Sequence, residues 1–435
     1  MKKFTLNNGY NIKLDGNPEL KVINKDDSSI VQYNPSSIRS FKTKLLIKLN
    51  DYVKIGTPLF FDKNNPEVMF VSSVSGCIKE IILGERRVVK KIGIINDKKN
   101  NQENICLDRT KETLLKSGLW SMFRQKPFSK IPDSQSHPKS IFISTIPTEP
   151  FSIDNDFLFG EIDNFLQSGI DILKELFNCD INVSVSSSSS FKTLEGVNLY
   201  TFNKLHPSGN VGVQIHHIDP IKNANDTRWY LTLQDLNNIG MYFSNKQFPT
   251  SKYISIGGNA FIKPAYYKML IGTPISNILK ESLDNVRYIS GDVLNGVEIN
   301  YNDSLNLNHE ILSIIKTNNN QQFLGWLMPG LKKYSISNTF LSKIISNRKS
   351  TLDTKLNGSI RSIIPMGIWD KVLPMNIYAE FLIKSIIAKD IDMMEKLGIY
   401  ESSPEDFALC SFVCQSKVEV SSIIQDGLNL VESEI

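Results

Sequence analysis

The sequence predicts a multidomain protein of mixed α/β and α+β class, because three kinds of pattern follow one another along its 435 residues. Short apolar runs separated by turns occupy residues 45–94, a strand–helix–strand pattern occupies residues 140–185, and helical patterns occupy the chain after residue 359. A chain of this length exceeds what one hydrophobic core usually holds, so we expect about two to four domains. The 41% hydrophobic content is sufficient for their cores.

The first pattern, in residues 45–94, is typical of a small β sandwich or barrel. Turn sequences such as DKNNP at residues 62–66 and Ser75-Gly76 separate apolar runs at residues 59–61 and 68–71. β-type runs interrupted by Gly, Pro, Asn and Asp about every eight to twelve residues indicate the strands of an all-β unit. We expect residues 1–44, which are mostly polar, to complete this module with edge strands and loops.

The second pattern predicts an open α/β domain. Residues 140–146 (SIFISTI) form a β-branched, apolar run that Pro147 ends, and residues 181–185 form a second one. Between them, apolar residues recur at a spacing of mostly three or four, which predicts one long amphipathic helix to about residue 178; they are Phe159, Ile162, Leu166, Leu173, Leu176 and Phe177. Strand, helix and strand make a βαβ unit. The serine run at residues 186–190 predicts a flexible surface loop.

The remainder of the chain predicts a small α+β module and then helices. Residues 253–316 mix short strands with glycine turns. Helices are expected at residues 375–388, 391–397 and 420–431. A further helix should begin at Ser403, because a capping Ser, a Pro and two acids follow one another there.

Composition restricts the function. The net charge of +4 is spread along the chain, which gives no reason to expect a nucleic-acid partner. Five cysteines in a chain of this length indicate a reducing, cytosolic compartment rather than a disulfide framework. The N-terminus has no apolar segment typical of a signal peptide, and no window approaches about 18 uninterrupted apolar residues. A role at a membrane would therefore require docking on a partner that spans it.

Lys63 is the first candidate for chemistry, because carrier domains attach lipoyl or biotinyl groups to a lysine at the tip of a hairpin. The surrounding sequence (DYVKIGTPLFFDKNNPEVMFVSSVSG) is similar to such a domain. Residues 64–67 (NNPE) are expected to lengthen the turn beyond the tight tip of a carrier. An unmodified relative of a carrier is therefore the favoured interpretation.

Two further clusters could bind metal. Cys410 and Cys414 have a spacing of four, but an iron–sulfur or zinc site needs about four ligands, so two small buried residues are favoured. His206, His216 and His217 lie near Asp219, yet adjacent histidines point in different directions, so ordinary hydrogen-bonded histidines are favoured.

Other motifs are absent or weak. No GxGxxG, P-loop, GxSxG or HExxH sequence occurs, so the α/β domain lacks a glycine-rich loop that approaches a pyrophosphate closely. Arg86-Arg87 and Lys90-Lys91 form a basic cluster in the β module, either a solvated face or a contact for an acidic partner or anionic lipid.

Seven stretches run in order from about residue 40 to the C-terminus and share one resemblance. They are GTPLFFDKNNPEVMFVSSVSG followed by GERRVV, SGLWSMFRQKPFSKIP, HPSGNVGVQIHHIDP, RYISGDVLNG, FLGWLMPG, NGSIRSIIPMGIWDKVLPMNI and EDFALCSFVC. Together they resemble one family, the A subunit of the bacterial Na+-translocating NADH:quinone reductase (Nqr). The first forty residues match weakly, and residues 182–203 depart most from the family pattern.

The resemblance implies a fold and a domain organisation. It implies a barrel-sandwich hybrid domain (residues 1–100), a Rossmann-like α/β domain (101–252), a ubiquitin-like β-grasp module of SLBB type (253–330) and a helical C-terminal domain (331–435). The family is also distantly similar to the flavin- and NADH-binding subunit of respiratory complex I. Where that relative has a glycine-rich loop, this chain has residues 118–124 (GLWSMFR). Trp120, Met122 and Phe123 are expected to fill the space that glycines leave open.

The resemblance also implies a function. The chain would be a peripheral, cofactor-free subunit on the cytoplasmic face of the bacterial inner membrane. Its partners would be the mostly membrane-embedded subunits of a complex that couples NADH oxidation and ubiquinone reduction to Na+ export. Flavins and the iron–sulfur centre would belong to those subunits, while this chain contributes to assembly and to the region where quinone is reduced. We therefore assign no catalytic, cofactor-binding or metal-binding residue.

Two other functions stay open. One is a lipoyl- or biotinyl-type carrier that uses Lys63. The other is a soluble nicotinamide-dependent oxidoreductase that uses the α/β domain, against which the missing glycine-rich sequence argues.

Overall fold

The protein is described from a computed structural model. The structure describes residues 1–160, 165–279, 281–318, 323–324, 327–331, 334, 336, 340–343, 353–356 and 358–434. Ile162 of the predicted helix, Gly325 and Trp326 of the FLGWLMPG stretch, and Asn357 lie outside the described residues.

Nine strands lie in the first hundred residues. They are β1 (Lys2–Phe4), β2 (Glu19–Lys25), β3 (Ile30–Tyr33), β4 (Thr43–Leu45), β5 (Tyr52–Val53), β6 (Pro58–Asp62), β7 (Asn65–Val71), β8 (Gly76–Leu83) and β9 (Val89–Asn96). Seven of them form two small sheets, β3-β9-β8-β5 and β4-β6-β7. Apolar side chains such as Leu59, Phe60, Ile78 and Ile92 form their common core and are fully buried. The predicted β sandwich is therefore present.

The first two strands leave this module, so the expectation that residues 1–44 complete it is wrong for them. β1 pairs with a strand of the α/β sheet, and β2 extends the sheet of the third module. β3 and β4 pair within the β module as expected. The N-terminal forty residues therefore connect three modules.

The α/β domain follows the β module. Its elements are α1 (Lys111–Lys116), β10 (Arg124–Lys126), β11 (Ser140–Ser144), α2 (Asn155–Phe159), α3 (Leu166–Phe177), β12 (Asp180–Val185), β13 (Asn198–Phe202), α4 (Val211–Ile218), β14 (Arg228–Leu231) and α5 (Leu233–Asn245). The sheet has the order β1-β13-β12-β11-β14-β10, and its first five strands are parallel. The predicted βαβ unit is confirmed.

One long helix was predicted where two are observed, with α2 ending at Phe159 and α3 beginning at Leu166. The backbone of Phe165 explains the start of α3, because its amide donates to Asn237 Oδ1 at 2.9 Å. Gly240 lies so close to the carbonyl oxygen of Phe165 that a methyl group would clash there. The contact with α5 therefore fixes Phe165 outside the helix.

The predicted serine loop is also more ordered than a flexible surface loop. Ser189 is buried, and the hydroxyl groups of Ser189 and Ser190 donate to Asp156 Oδ1 at 3.1 and 2.8 Å.

The third module is a mixed sheet with one short helix. Its elements are β15 (Ser251–Gly257), β16 (Ala265–Leu270), α6 (Ile275–Ile278), β17 (Val286–Ser290), β18 (Val297–Ile299) and β19 (Ile311–Lys316). The strand order is β18-β17-β19-β15-β16-β2. Ile256, Leu312 and Ile314 are fully buried in its core, and the predicted α+β module is confirmed.

The end of the chain is helical, as predicted. Its helices are α7 (Ala379–Ala388), α8 (Ile391–Lys396), α9 (Ala408–Val413) and α10 (Val420–Glu434). α7 begins four residues later than expected, because neighbouring residues bind the histidines of α4. The carbonyl of Pro374 accepts from His217 Nε2 at 2.8 Å, and the amide of Asn376 donates to His216 Nε2 at 2.9 Å.

The prediction that a helix begins at Ser403 is wrong, because residues 404–407 form a turn and α9 begins at Ala408. The amide of Asp406 donates to the carbonyl of Ser403 at 3.1 Å, and the Ser403 hydroxyl donates to the Asp406 side chain instead of capping a helix. This turn faces the α/β domain, where it contributes to the site described next.

Candidate functional site

A cavity of about 960 Å³ lies at the carboxyl ends of β11 and β14. β11 is the first of the four consecutive parallel strands, and it has β12 on one side and β14 on the other. This is a topological switch point, where open α/β sheets usually bind ligands. Ile146 and Thr148 follow β11 into the wall, and Thr232 follows β14.

All four modules contribute to the cavity wall. The β module contributes residues 70–73, and the third module contributes Asp292, His309 and Glu310. The C-terminal helical part contributes residues 403–405. The cavity therefore exists only when the four modules are assembled.

The wall of the cavity is acidic. Six carboxylate residues face three lysine or arginine residues; they are Glu149, Asp235, Asp292, Glu310, Glu405 and Glu419 against Arg39, Arg124 and Lys252. Burial, with Lys252 and Arg124 nearby, lowers the pKa of His309 to about 4, so His309 is neutral at pH 7. The wall therefore offers few cations to the phosphates of a nucleotide.

Glu149 is the most perturbed acid of the wall. Burial raises its pKa well above the ordinary value, and repulsion from Asp292, Glu405 and Glu310 adds to this effect. Among the residues that the structure describes, none forms a hydrogen bond or ion pair with its carboxyl group. Glu149 therefore holds its proton to a higher pH than an exposed glutamate.

Burial raises the pKa of three further acids of the wall. The pKa of Asp235 is about 6, because burial outweighs the attraction of Lys252. The pKa values of Asp292 and Glu405 are also raised, chiefly by burial. A carboxyl group with a pKa of about 6, such as that of Asp235, can release and take up protons near neutral pH, which is the chemical capacity of this arrangement.

A buried ion pair behind the wall joins the C-terminal part to the α/β domain. Lys126 Nζ lies 3.3 Å from Asp406 Oδ2 and 3.5 Å from Glu405 Oε1. Burial acts to lower the pKa of Lys126, but the two carboxylates outweigh it and raise this pKa. The pair lies directly against Gly212 in the first turn of α4, where any larger side chain would clash with Asp406.

Trp120, Met122 and Phe123 were expected to fill the space that the glycines of a glycine-rich loop leave open, and this expectation is wrong for Trp120 and Phe123. Trp120 and Phe123 are fully buried and pack against Trp229 and Phe177, away from the cavity. Only Met122 reaches the wall. The side chains of Trp120 and Phe123 therefore do not fill the space at the switch point.

Cys410 and Cys414 lie in the core shared by the C-terminal helices and the α/β domain. Both are buried, and burial raises the pKa of the Cys410 thiol far above its ordinary value. The described part of the chain contains no group of three or more His, Cys, Asp and Glu residues placed to hold a metal ion. The interpretation of both thiols as buried core residues agrees with this position.

The three histidines do not converge, and each has a separate partner. His206 Nδ1 lies 3.2 Å from Thr148 Oγ1, His216 Nδ1 contacts Glu401, and His217 binds the carbonyl of Pro374. Asp219 instead pairs with Arg228 and Lys139, at 2.6 and 3.1 Å.

Lys63 is exposed in a turn of two residues, Lys63 and Asn64, because Asn65 already pairs with Asp62. The expectation of a lengthened turn is therefore wrong. The Lys63 amide donates to the carbonyl of Lys42 at 2.7 Å, so the turn is held against the strand next to it.

The acids of the cavity were missed by reasoning from the sequence. Glu149 and Asp235 each follow a buried strand within five residues, and polar residues at the carboxyl ends of parallel strands are the signal that could have found them. Asp292, Glu310 and Glu405 belong to other modules and carry no such signal.

Together, the fold and the cavity define a multidomain protein built around a Rossmann-like sheet. Comparison with known proteins identifies one family. Three family models match: the NqrA N-terminal barrel-sandwich hybrid domain over residues 4–97, the NqrA second alpha/beta domain over residues 107–248, and the NQRA C-terminal domain over residues 253–300. The fold class predicted from the resemblance is confirmed.

Curated relatives match over the whole length. The A subunit of the Na(+)-translocating NADH-quinone reductase of Neisseria meningitidis serogroup B is 32% identical over 98% of both chains. The proteins of the same name from Pseudomonas aeruginosa and Haemophilus influenzae are 31% and 30% identical over 98% and 99% of both chains. The chain belongs to the NqrA family, the A subunits of Na(+)-translocating NADH-quinone reductases.

The likeness to solved structures is distant. An NAD+-reducing [NiFe]-hydrogenase in the air-oxidised state is 11% identical over 42% of this chain and 41% of its own, with a TM-score of 0.32. Among the residues that the structure describes, no helix combines the length and the apolar character needed to cross a bilayer.

Proposed function

We propose that this chain is a peripheral subunit of a Na+-translocating NADH:ubiquinone reductase, in which it contributes to assembly and to the region of quinone reduction. The observation that carries this proposal is its similarity over 98% of both chains to a protein named as the A subunit of a Na(+)-translocating NADH-quinone reductase. Its partners are the other subunits of the complex, which are mostly embedded in the membrane. It lies on the cytoplasmic face of the inner membrane.

The complex couples NADH oxidation and ubiquinone reduction to Na+ export through cofactors that its other subunits hold. This chain binds none of them and has no catalytic activity alone. The composition of the cavity wall supports this part of the proposal, because it offers only three lysine or arginine side chains beside six acidic residues, and the phosphates of NADH and of flavin nucleotides need cationic or other donor partners.

Proximity to ubiquinone is the finer part of the proposal. Reduction of a quinone to a quinol consumes two electrons and two protons, and the protons must come from acids with pKa values near neutrality. Asp235, with a pKa of about 6, has this property, and burial raises the pKa of Glu149 well above its ordinary value. They support a role for the cavity in holding protons beside the quinone.

Spectroscopy and kinetics of the purified chain test the proposal. We expect a colourless protein that does not oxidise NADH in the presence of an artificial electron acceptor. A bound flavin spectrum or diaphorase activity of the isolated chain would contradict the cofactor-free assignment. Titration with NADH tests the nicotinamide-dependent alternative in the same preparation, and saturable binding would favour that alternative.

The tight turn at Lys63 favours a second candidate function, because it presents an exposed lysine at a hairpin tip as a carrier domain does. The intact mass decides between the two functions. We expect the unmodified mass and an unmodified Lys63 peptide, and a lipoyl or biotinyl adduct on Lys63 would establish the carrier function.

We also propose domain boundaries after residues 100, 252 and 330. The ranges of the matching family models, 4–97, 107–248 and 253–300, support the first two.

A further inference from the structure

The hairpin between β8 and β9 has a tip that combines exposed cations with exposed apolar side chains. We call this the basic hairpin tip; it comprises Ile82, Leu83, Arg86, Arg87, Val88 and Lys90. Leu83 and Val88 are about half exposed, at 51% and 49%, and Arg86, Arg87 and Lys90 are exposed. Side chains of both kinds therefore stand side by side in solvent at one end of the β module.

The backbone of the tip holds the two arginines in an uncommon conformation. Arg86 and Arg87 have φ angles of 52° and 58°, in the left-handed region that non-glycine residues seldom adopt. The hairpin closes through hydrogen bonds from the Gly84 amide to the Val88 carbonyl at 2.7 Å and from the Val88 amide to the Glu85 carbonyl at 3.1 Å. Two consecutive positive φ angles are typical of the tight turns that close β-hairpins, so the turn fixes the backbone positions of both arginines.

The cations of the tip form no ion pairs within the described part of the chain, and Glu85, which is exposed in the same turn, leaves the tip with a net positive charge. Among the residues that the structure describes, no carboxylate forms an ion pair with Arg86, Arg87 or Lys90. Lys91, the fourth cation of the predicted basic cluster, differs, because it pairs with Asp303 at 2.5 Å and belongs to the contact with the third module. The side chain of Lys90 lies across Gly84, so its ammonium group stays at the tip.

We propose that the basic hairpin tip docks on the surface of an anionic lipid bilayer. Guanidinium groups bind phosphate oxygens in a bidentate manner, and apolar side chains beside them can enter the boundary between headgroups and acyl chains. The tip is small for a protein partner, because a stable protein interface needs about 20–30 residues on each side. A bilayer contact that assists assembly needs only a few cations and apolar side chains.

This inference rests on the proposed function, since a peripheral subunit of a membrane complex lies close to lipid. The contact would fix the orientation of the β module relative to the membrane. The cations would face phosphate groups, and the apolar side chains of residues 82, 83 and 88 would reach below them.

Co-sedimentation of the full chain with vesicles tests the proposal. We expect binding to vesicles of phosphatidylethanolamine and phosphatidylglycerol, little binding to phosphatidylcholine vesicles, and loss of binding at high salt. Each cation near an anionic surface contributes roughly a factor of five to the partition coefficient. The double variant Arg86→Gln/Arg87→Gln should therefore bind about 30-fold more weakly.

The matched control is Lys98→Gln/Lys99→Gln, which removes two exposed cations just beyond the other end of β9. It should bind vesicles as the wild type does. An absence of vesicle binding by the wild type, or equal losses in the two double variants, would overturn the proposal.

A second measurement separates this proposal from the proposed function. Copurification with membrane proteins in detergent, without a bilayer, should be unchanged in Arg86→Gln/Arg87→Gln. Loss of copurification in that variant would identify an acidic protein surface as the partner and reject the lipid. If the wild type copurifies but binds no vesicles, the inference fails while the proposed function stands. If the wild type has no membrane partner, the proposed function itself fails.

Discussion

The substitution Asp235→Asn should stabilise the protein at neutral and alkaline pH. Asp235 lies in the first turn of α5 at the cavity wall, where burial raises its pKa from 3.8 to about 6. Because the folded state holds this proton more tightly than the unfolded state, the stability that it contributes is complete below about pH 4. That stability is lost as the pH rises through about 6.

The magnitude follows from the shift. Two pKa units correspond to about 3 kcal/mol, and contact with solvent in the cavity reduces this to about 1–3 kcal/mol. Asparagine has nearly the same shape and carries no charge at any of these pH values. The free energy of unfolding of the variant should therefore exceed that of the wild type by about 1–3 kcal/mol near pH 8 and by almost nothing near pH 4.

Urea unfolding at a series of pH values measures this difference. The control is Asp392→Asn, an exposed aspartate in the first turn of α8. We expect the difference between Asp392→Asn and the wild type to stay small across the series. The reasoning would be refuted if Asp235→Asn raised the free energy of unfolding equally at every pH, or lowered it near pH 8.

Three further predictions concern packing. Lys126→Met should lower the free energy of unfolding by about 3–5 kcal/mol, because it leaves Asp406 buried without its cationic partner. The control Lys139→Met removes an exposed ion pair and should lower the free energy of unfolding by less than about 1 kcal/mol. Equal losses of the two variants in urea unfolding would argue against the buried pair. Gly240→Ala should cost about 1–3 kcal/mol because its methyl group meets the Phe165 carbonyl, and an unchanged unfolding midpoint would show that α3 and α5 can separate there. In the native protein, iodoacetamide should modify the exposed Cys77 and Cys106 much faster than Cys410, and peptide mass spectrometry that finds equal rates would disprove burial of Cys410.

The sequence was sufficient for the elements whose signal is local. β11, β12 and α10 lie close to where their apolar sequences predicted them. α8 differs from the prediction by one residue at its end.

The errors arose where another module determines the local structure. β1 and β2 carry no signal for the sheets they join, since their partners lie about two hundred residues away or more. Ser403 has the sequence properties of a helix start, but its hydroxyl donates to the side chain of Asp406, which also pairs with Lys126. The residues before α7 stay outside the helix because the histidines of α4 bind their backbone.

The candidate site was the least predictable feature from the sequence, because tertiary structure brings its residues together. Glu149 is perturbed by Asp292 and Glu405, which lie more than one hundred residues away in the sequence. Trp120 and Phe123 occupy the expected loop, but the direction of their side chains, toward Trp229, is set by the core of the folded domain.

Copurification from membranes tests the central claim, that this chain is part of a membrane-bound reductase, most directly. The tagged full chain should be recovered from detergent-solubilised membranes with membrane-embedded partners, in a preparation that oxidises NADH and reduces ubiquinone at a rate stimulated by Na+. A chain recovered alone outside the membrane fraction, with no NADH:ubiquinone reductase activity in the membranes of the same cells, would contradict the account.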